Sequence, residues 1–354
     1  MIRVLLVDDS VVQREILRRI LGGDNTFTIA GEARDGKEAV RMVEEHRPDV
    51  VLMDIHMPDM NGVEATREIM RRFPVPIVIA SATLKKRDMD LGLEALNAGA
   101  FSVIAKPEGA VLLNLEKISS KLREEILAAS RVKLKPAALH PPVINKKGEE
   151  GGTRARIRTE AVEAIGICTS AGGPPVLIDI LSALSRPFSI PILLVQHITQ
   201  GFEESFAVWL SQRSGQPVSM AADGQRLCSG VWLAPNGTHL TLGNSRFLTL
   251  LEQKPADIHC PSGNPLFVSL ARHLGSRAAG ILLTGMGDDG AKGLLELKQA
   301  GGTTVIQDEA SSFIWGMPKA GKDLQAATYE INPREIALLM TEMDRKSGGK
   351  RKSE

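Results

Sequence analysis

Val50-Val51-Leu52-Met53-Asp54-Ile55-His56-Met57-Pro58-Asp59-Met60-Asn61-Gly62 runs from an uninterrupted apolar segment into a polar, turn-forming loop, and Asp54 stands at the junction. Consecutive apolar residues without polar alternation read as a strand covered on both faces. The same pattern recurs on either side. Residues 3–7, 28–32, 77–80 and 101–104 read as further strands, while residues 11–21, 37–46, 63–72 and 89–98 carry apolar positions at helical spacing. Strands alternating with amphipathic helices predict an α/β domain on a five-stranded, doubly wound parallel sheet. Ligands of such sheets bind beyond the carboxyl ends of the strands. Asp8, Asp9, Asp54, Ser81 and Lys106 all fall there.

The chain's 354 residues exceed what one core usually organises, so two domains are expected. Lys+Arg 43 against Asp+Glu 42 leaves no global charge that would favour nucleic acid or an anionic membrane. No basic recognition-helix pattern or zinc-finger spacing follows the first domain, so no nucleic-acid partner is expected. No apolar stretch approaches the roughly 20 residues that span a bilayer, which excludes direct membrane insertion by a helix. Met1-Ile2-Arg3-Val4 enters the first strand without a basic leader, apolar core or cleavage site, and the expected location is cytoplasmic. Cys168, Cys228 and Cys260 are too scattered for a disulfide framework or a paired-ligand zinc site and read as buried or incidental thiols.

The first domain is expected over residues 1–127 and a basic, Pro- and Gly-containing linker over 128–160, with Pro136, Pro141, Pro142, Gly151, Gly152, Arg154, Arg156 and Arg158. A second domain follows over 161–345, with a polar, frayed tail from 346 to 354. In it, residues 161–167, 190–195, 278–283 and 303–306 read as strands, and 174–184, 202–213, 266–273 and 291–299 as helices. Asp223-Gly224, Pro235-Asn236-Gly237 and Gly243-Asn244 break residues 216–251 into short strands, a small antiparallel excursion. The second domain is therefore a mixed, mostly parallel α/β unit.

Asp8, Asp9 and Asp54 repel one another unless a cation compensates them, and hard oxygen ligands of this kind suit Mg²⁺. A divalent ion also neutralises an incoming phosphoryl group while a carboxylate attacks phosphorus in line. Asp54 is the candidate nucleophile, with Lys106 pairing to the phosphoryl oxygens and Ser81 donating a hydrogen bond to one of them. Val7-Asp8-Asp9-Ser10, Met53-Asp54-Ile55-His56-Met57-Pro58, Ser81-Ala82 and Lys106-Pro107 resemble, as a set, the receiver domain of two-component response regulators. The resemblance covers the whole first domain and implies a flavodoxin-like fold in which a histidine kinase phosphorylates Asp54. It further implies that Asp9, Asp54 and the backbone carbonyl of His56 hold Mg²⁺, that Asp8 supports the metal more indirectly, and that Ser81 and Phe101 switch on phosphorylation.

Cys168-Thr169-Ser170-Ala171-Gly172-Gly173-Pro174 follows one strand and precedes a helix, which sets Ser170 at a tight turn near free backbone N–H groups. His197 ends the next strand, and Gly285-Met286-Gly287-Asp288-Asp289-Gly290 ends a later one. A serine, an imidazole and a carboxylate on one sheet edge compose a Ser/His/Asp arrangement. Taken singly, Ser170 reads equally as a helix cap, His197 as a satisfied strand-end histidine, and Asp288-Asp289 as a phosphate or metal loop.

Ser170-Ala171-Gly172-Gly173-Pro174, Val195-Gln196-His197, Ala234-Pro235-Asn236-Gly237-Thr238-His239, Leu283-Thr284-Gly285-Met286-Gly287-Asp288-Asp289-Gly290 and Trp315-Gly316-Met317-Pro318 resemble the catalytic domain of the chemotaxis receptor protein-glutamate methylesterases, the CheB family. The two-domain order resembles that family too. The resemblance implies a nucleophile at Ser170, a base at His197, an orienting carboxylate at Asp289 and an oxyanion-hole N–H at Met286. No cofactor is implied for this domain. The implied substrates are glutamyl methyl esters, and glutamines by deamidation, on cytoplasmic helices of methyl-accepting receptors. Unphosphorylated, the receiver is expected to cover the serine site. Ala171 stands where the family usually has Thr, and Cys260 where it commonly has Arg. Ser170, His197 and Asp289 favour the enzyme, while those departures keep open an alternative in which the second domain is a non-catalytic module that binds receptor or kinase.

Overall fold

The computed structural model describes residues 1–23, 25–81, 86–106, 115–132, 134 and 161–351. Ala82 and Pro107 of the quoted motifs, and Lys133 with residues 135–160 of the expected linker, lie outside the described residues. The chain divides into two compact units, Met1–Leu139 and His140–Glu354.

The first unit runs β1 (Ile2–Val7), α1 (Val11–Gly22), β2 (Phe27–Ala33), α2 (Gly36–His46), β3 (Val50–Asp54), α3 (Gly62–Arg72), β4 (Ile77–Ser81), α4 (Lys86–Asn97), β5 (Ser102–Ala105) and α5 (Leu115–Ser130). Its strands pair in the order β2-β1-β3-β4-β5, every pair parallel. Every residue of β3 and β4 is buried, as unbroken apolar runs require when helices cover both faces. Each fully buried Val, Leu or Ile contributes about 1.5–3 kcal/mol relative to exposure. Ser10, Asp35 and Asn61 cap α1, α2 and α3 through side-chain oxygens, and Asn61 forms a capping box with Glu64. These caps fix where each helix begins at the carboxyl edge of the sheet. At Gly62 a Cβ would lie 2.1 Å from the Asp54 carbonyl oxygen, so only glycine lets α3 begin against the end of β3.

The second unit runs β6 (Ala164–Thr169), α6 (Gly173–Ser182), β7 (Ile192–Gln196), α7 (Glu203–Ser214), β8 (Val218–Met220), β9 (Val231–Leu233), β10 (Thr238–Leu242), β11 (Leu248–Glu252), α8 (Gly263–His273), β12 (Ala278–Leu282), α9 (Ala291–Gln299), β13 (Thr303–Gln307), α10 (Met317–Asp323), β14 (Tyr329–Ile331) and α11 (Pro333–Arg351). Seven strands pair in parallel in the order β14-β13-β12-β6-β7-β9-β8. From β6 the chain proceeds to β7 on one side, and from β12 to β13 on the other. The crevice between the carboxyl ends of β6 and β12 is thus the topological switch point, where α/β sheets place their ligands.

Two expectations are corrected. Of residues 216–251, β8 and β9 extend the parallel sheet, and the antiparallel pairing is that of β10 with β11 and an isolated bridge between Arg226 and Phe247. The polar C-terminal segment is not frayed from residue 346, because α11 continues to Arg351. The buried Ser347 hydroxyl there donates to the Val162 carbonyl at 2.8 Å and accepts from the Val162 N–H at 3.1 Å. Ile336, Leu339, Met340 and Met343 bury the apolar stripe of the same helix. No helix among the described residues is long and apolar enough to cross a membrane.

Candidate functional site

The first unit gathers its acidic residues around one lysine. Asp8 and Asp54 are 1% and 4% exposed, and Asp9 beside them is open to solvent. Lys106 Nζ lies 2.7 Å from Asp8 Oδ2 and 2.8 Å from Asp54 Oδ2. Asp8 Oδ1 accepts from the Ser10 N–H at 2.9 Å, and the Asp8 carbonyl accepts from Arg14 Nη1 at 2.6 Å. Burial raises the Asp54 pKa above the ordinary carboxylate value; Lys106 opposes that rise, Asp8 adds to it, and the His56 N–H donates to the carboxylate. Oxygens of Asp8, Asp9 and Asp54 lie within 4.8 Å of one another. Hard, anionic donors at that separation, with an ammonium already compensating two of them, fit a divalent cation such as Mg²⁺. Ser81 ends the neighbouring β4, and Phe101 is buried just ahead of β5.

In the second unit three strand ends converge on the switch point. Ser170 occupies the turn between β6 and α6. Its N–H donates to the Thr284 carbonyl at 3.0 Å, and its carbonyl accepts from Gly173 N at 2.9 Å and Gln196 Nε2 at 3.0 Å. A Cβ on Gly285 would lie 2.8 Å from Ser170 Cβ, so the loop after β12 packs directly on the serine. Buried Thr284 accepts from the Ile314 N–H at 2.9 Å and donates at 3.1 Å to the Ala171 and Ile314 carbonyls, locking the turn to that loop. His197 is fixed at its backbone, where its N–H donates to the Thr169 carbonyl at 3.0 Å. Its Nε2 lies 2.9 Å from Asp289 Oδ2. No hydrogen bond joins Ser170 Oγ to His197 among the described residues.

Asp289 is 3% exposed and surrounded by donors. Oδ1 accepts from the Ser262 hydroxyl and, at 3.1 Å, from Asn264 Nδ2, while Oδ2 accepts from the Gly263 N–H at 2.8 Å as well as from His197. Burial alone would raise its pKa, but the bond and charge of His197, with Ser262 and Gly263, hold the carboxyl well below the usual range. Cys168 Sγ lies 3.7 Å away, and burial together with the Asp289 charge keeps it a neutral thiol. Cys168, His197 and Asp289 stand close enough to share a metal ion. Protein donors already occupy both Asp289 oxygens, so the trio is built as a hydrogen-bond network. Of the adjacent acids, Asp289 bonds to His197, whereas Asp288 is exposed. The Met286 N–H donates to no group among the described residues.

Sequence reasoning missed Ser262, Gly263, Asn264 and Cys168 as partners of Asp289. The first three form the N-terminus of α8, where Ser262 is itself the cap and accepts from the Asn264 N–H. A Ser-x-Asn ahead of an apolar helix signals a cap. Its second role depends on which strand end α8 packs against, and spacing does not encode that.

A receiver-type sheet with a buried acidic pocket, in one chain with an α/β unit that carries a His–Asp pair at its switch point, defines a response regulator with an enzymatic output domain. Residues 4–116 match the response regulator receiver domain family, and residues 165–340 match the family described as CheB methylesterase. A protein-glutamate methylesterase/protein-glutamine glutaminase of Methanospirillum hungatei is 39% identical over 342 residues, spanning 96% of this chain and 97% of that protein. Another of the same name from Myxococcus xanthus is 38% identical over 330 residues, spanning 93% and 90%. The solved catalytic domain of the Thermotoga maritima CheB methylesterase is 31% identical and covers 51% of this chain and 98% of its own, with a TM-score of 0.49. The chain belongs to the CheB methylesterase family, with a receiver domain ahead of the methylesterase domain.

Proposed function

We propose that this chain hydrolyses glutamate methyl esters on the cytoplasmic helices of chemotaxis receptors, with Ser170 as nucleophile, and that phosphorylation of Asp54 activates it. The observation that carries this reading is the 2.9 Å bond between His197 Nε2 and a buried, ionised Asp289 at the crevice where Ser170 stands. An imidazole held this way carries its proton on Nε2 and presents Nδ1 as the base, the reverse of the serine-protease template.

In the proposed reaction Ser170 Oγ attacks the ester carbonyl carbon while its proton passes to His197 Nδ1. Asp289 stabilises the imidazolium, and the Met286 N–H faces the oxyanion of the tetrahedral intermediate. His197 then returns the proton to the departing methoxide, and methanol leaves a glutamyl ester on Ser170. Water, deprotonated by the same nitrogen, releases glutamate and restores the serine. Attack on a glutamine amide by the same route expels ammonia and accounts for deamidation.

In the receiver domain, Asp54 Oδ attacks phosphorus of a phosphoryl donor, a histidine kinase in the cell. Asp8, Asp9, Asp54 and the His56 carbonyl would hold Mg²⁺, which when bound neutralises charge on the transferred group. Lys106, freed from Asp54 by the transfer, pairs with the phosphoryl oxygens, and Ser81 and Phe101 carry the change to the surface of the domain. A cytoplasmic location follows from the proposed substrate and donor.

The reading is tested by following methanol release from receptor membranes that carry labelled methyl esters. Wild-type protein releases methanol, whereas Ser170→Ala and His197→Gln release it no faster than membranes alone. Release by Ser170→Ala at the wild-type rate would remove the serine from the chemistry.

A further inference from the structure

We infer that His259 is a positioning residue for the esterase, a reading that rests on the proposed role of His197 as base. The His259 ring stacks on the His197 ring with centroids 4.8 Å apart and an interplanar angle of 14°. His197 is tied at its backbone N–H and at Nε2, and neither bond fixes the ring plane: the imidazole can still turn about its Cβ–Cγ bond, which leaves Nε2 near Asp289. That rotation moves Nδ1, the nitrogen proposed to act on Ser170. A near-parallel ring against one face opposes it.

The loop that delivers His259 is secured on both sides. Upstream, Asp257 accepts from His239 Nε2 at 3.0 Å and from the Lys254 N–H at 2.6 Å. Downstream, Ser262 donates to Asp289. His259 therefore sits between an anchor on β10 and the carboxylate that orients the catalytic imidazole. The ionisable groups facing it are His197, Asp288 and Asp289. Desolvation first, and the His197 charge second, lower the His259 pKa, which favours a neutral ring when His197 takes the proton. His259 lies outside the hydrophobic core, so replacing it leaves the core intact.

The test compares full-length wild type, His259→Ala and His259→Phe, with Asp54 phosphorylated by a small-molecule donor and labelled receptor membranes as substrate. His259→Ala is expected to lower kcat roughly three- to tenfold with KM unchanged, and His259→Phe, which keeps a stacking face, to stay within about twofold of wild type. A His259→Ala enzyme with wild-type kcat overturns the inference. So does a rise in KM alone, which would make His259 a substrate contact, and so does an equal fall in both variants, which would make its nitrogens the working groups. Wild-type release that survives Ser170→Ala would instead remove the underlying assignment of His197, a distinguishable failure.

Discussion

Replacing Asp289 with Asn separates the catalytic from the structural role of the most heavily hydrogen-bonded side chain in the esterase site. The carboxylate has two oxygens facing donors: Ser262 and Asn264 on one, His197 and Gly263 on the other. Asparagine keeps one acceptor oxygen and sets an NH₂ against the remaining pair. If its oxygen keeps His197 and Gly263, the Ser262 hydroxyl rotates to accept, but Asn264 Nδ2 loses its acceptor. One buried donor left unpaired costs about 1–3 kcal/mol. A domain stable by about 5–15 kcal/mol stays folded after that loss.

Turnover responds far more, because a neutral side chain neither fixes the Nε2–H tautomer nor stabilises the imidazolium. A fall in kcat of about 10⁴-fold is expected, by the behaviour of Ser-His-Asp sites. The acid limb of stability changes in a definite direction. The folded Asp289 pKa lies below the unfolded one, so its contribution is fully present above the ordinary carboxylate value and is lost as pH falls below it. Asp289→Asn removes that part of the pH dependence. Urea unfolding at pH 7 and pH 3, with methanol release on the same preparations, measures both effects. A variant destabilised as expected but retaining kcat within tenfold of wild type would show that Asp289 is a structural anchor only.

Gly285→Ala places a methyl 2.8 Å from Ser170 Cβ and 2.3 Å from Met317 Sδ; displacing the serine by about 1 Å is expected to cost on the order of 10²-fold in kcat, and a near-normal rate would contradict the close packing. Thr284→Val leaves the Ile314 N–H without its acceptor and cuts two donor contacts, so a loss of about 1–3 kcal/mol is expected in denaturant titration. Phosphorylation of Asp54 by a small-molecule donor requires the ionised carboxylate. In the metal-free protein, where no Mg²⁺ charge lowers it, the Asp54 pKa is raised mainly by burial, so NMR titration without Mg²⁺ is expected to give a midpoint above the ordinary carboxylate value, and further up the scale in Lys106→Gln, where the opposing ammonium is lost; a midpoint below the ordinary value, or no shift in the variant, would contradict the assigned causes.

The polar strand ends were legible in the sequence because each follows an apolar run that has only one reading in a parallel sheet, and Asp8, Asp54, Ser81 and Lys106 come from four such ends. Ser170, His197 and the Asp288-Asp289 pair were legible for the same reason. Spacing alone did not choose between the two acids, which differ in the structure because α8 presents its N-terminus to one of them. Cys168 reads as a buried or incidental thiol; it is buried, and spacing does not show that its thiol faces Asp289 from the strand beneath Ser170. β8 and β9, three residues each, carry too short a pattern to distinguish a parallel sheet edge from a hairpin, and turn signals around them favoured the hairpin. The polar end of α11 hid a buried serine that bonds to Val162, 185 residues away along the chain.

Activation joins the two domains in one function, and it is measured by methanol release from labelled receptor membranes with and without a small-molecule phosphoryl donor, in wild type and in Asp54→Asn. Release by wild type is expected to rise severalfold or more with the donor, with Asp54→Asn staying at the basal rate under both conditions. Equal release from wild type with and without donor, while Asp54 is phosphorylated to high occupancy, would contradict a phosphorylation-gated esterase.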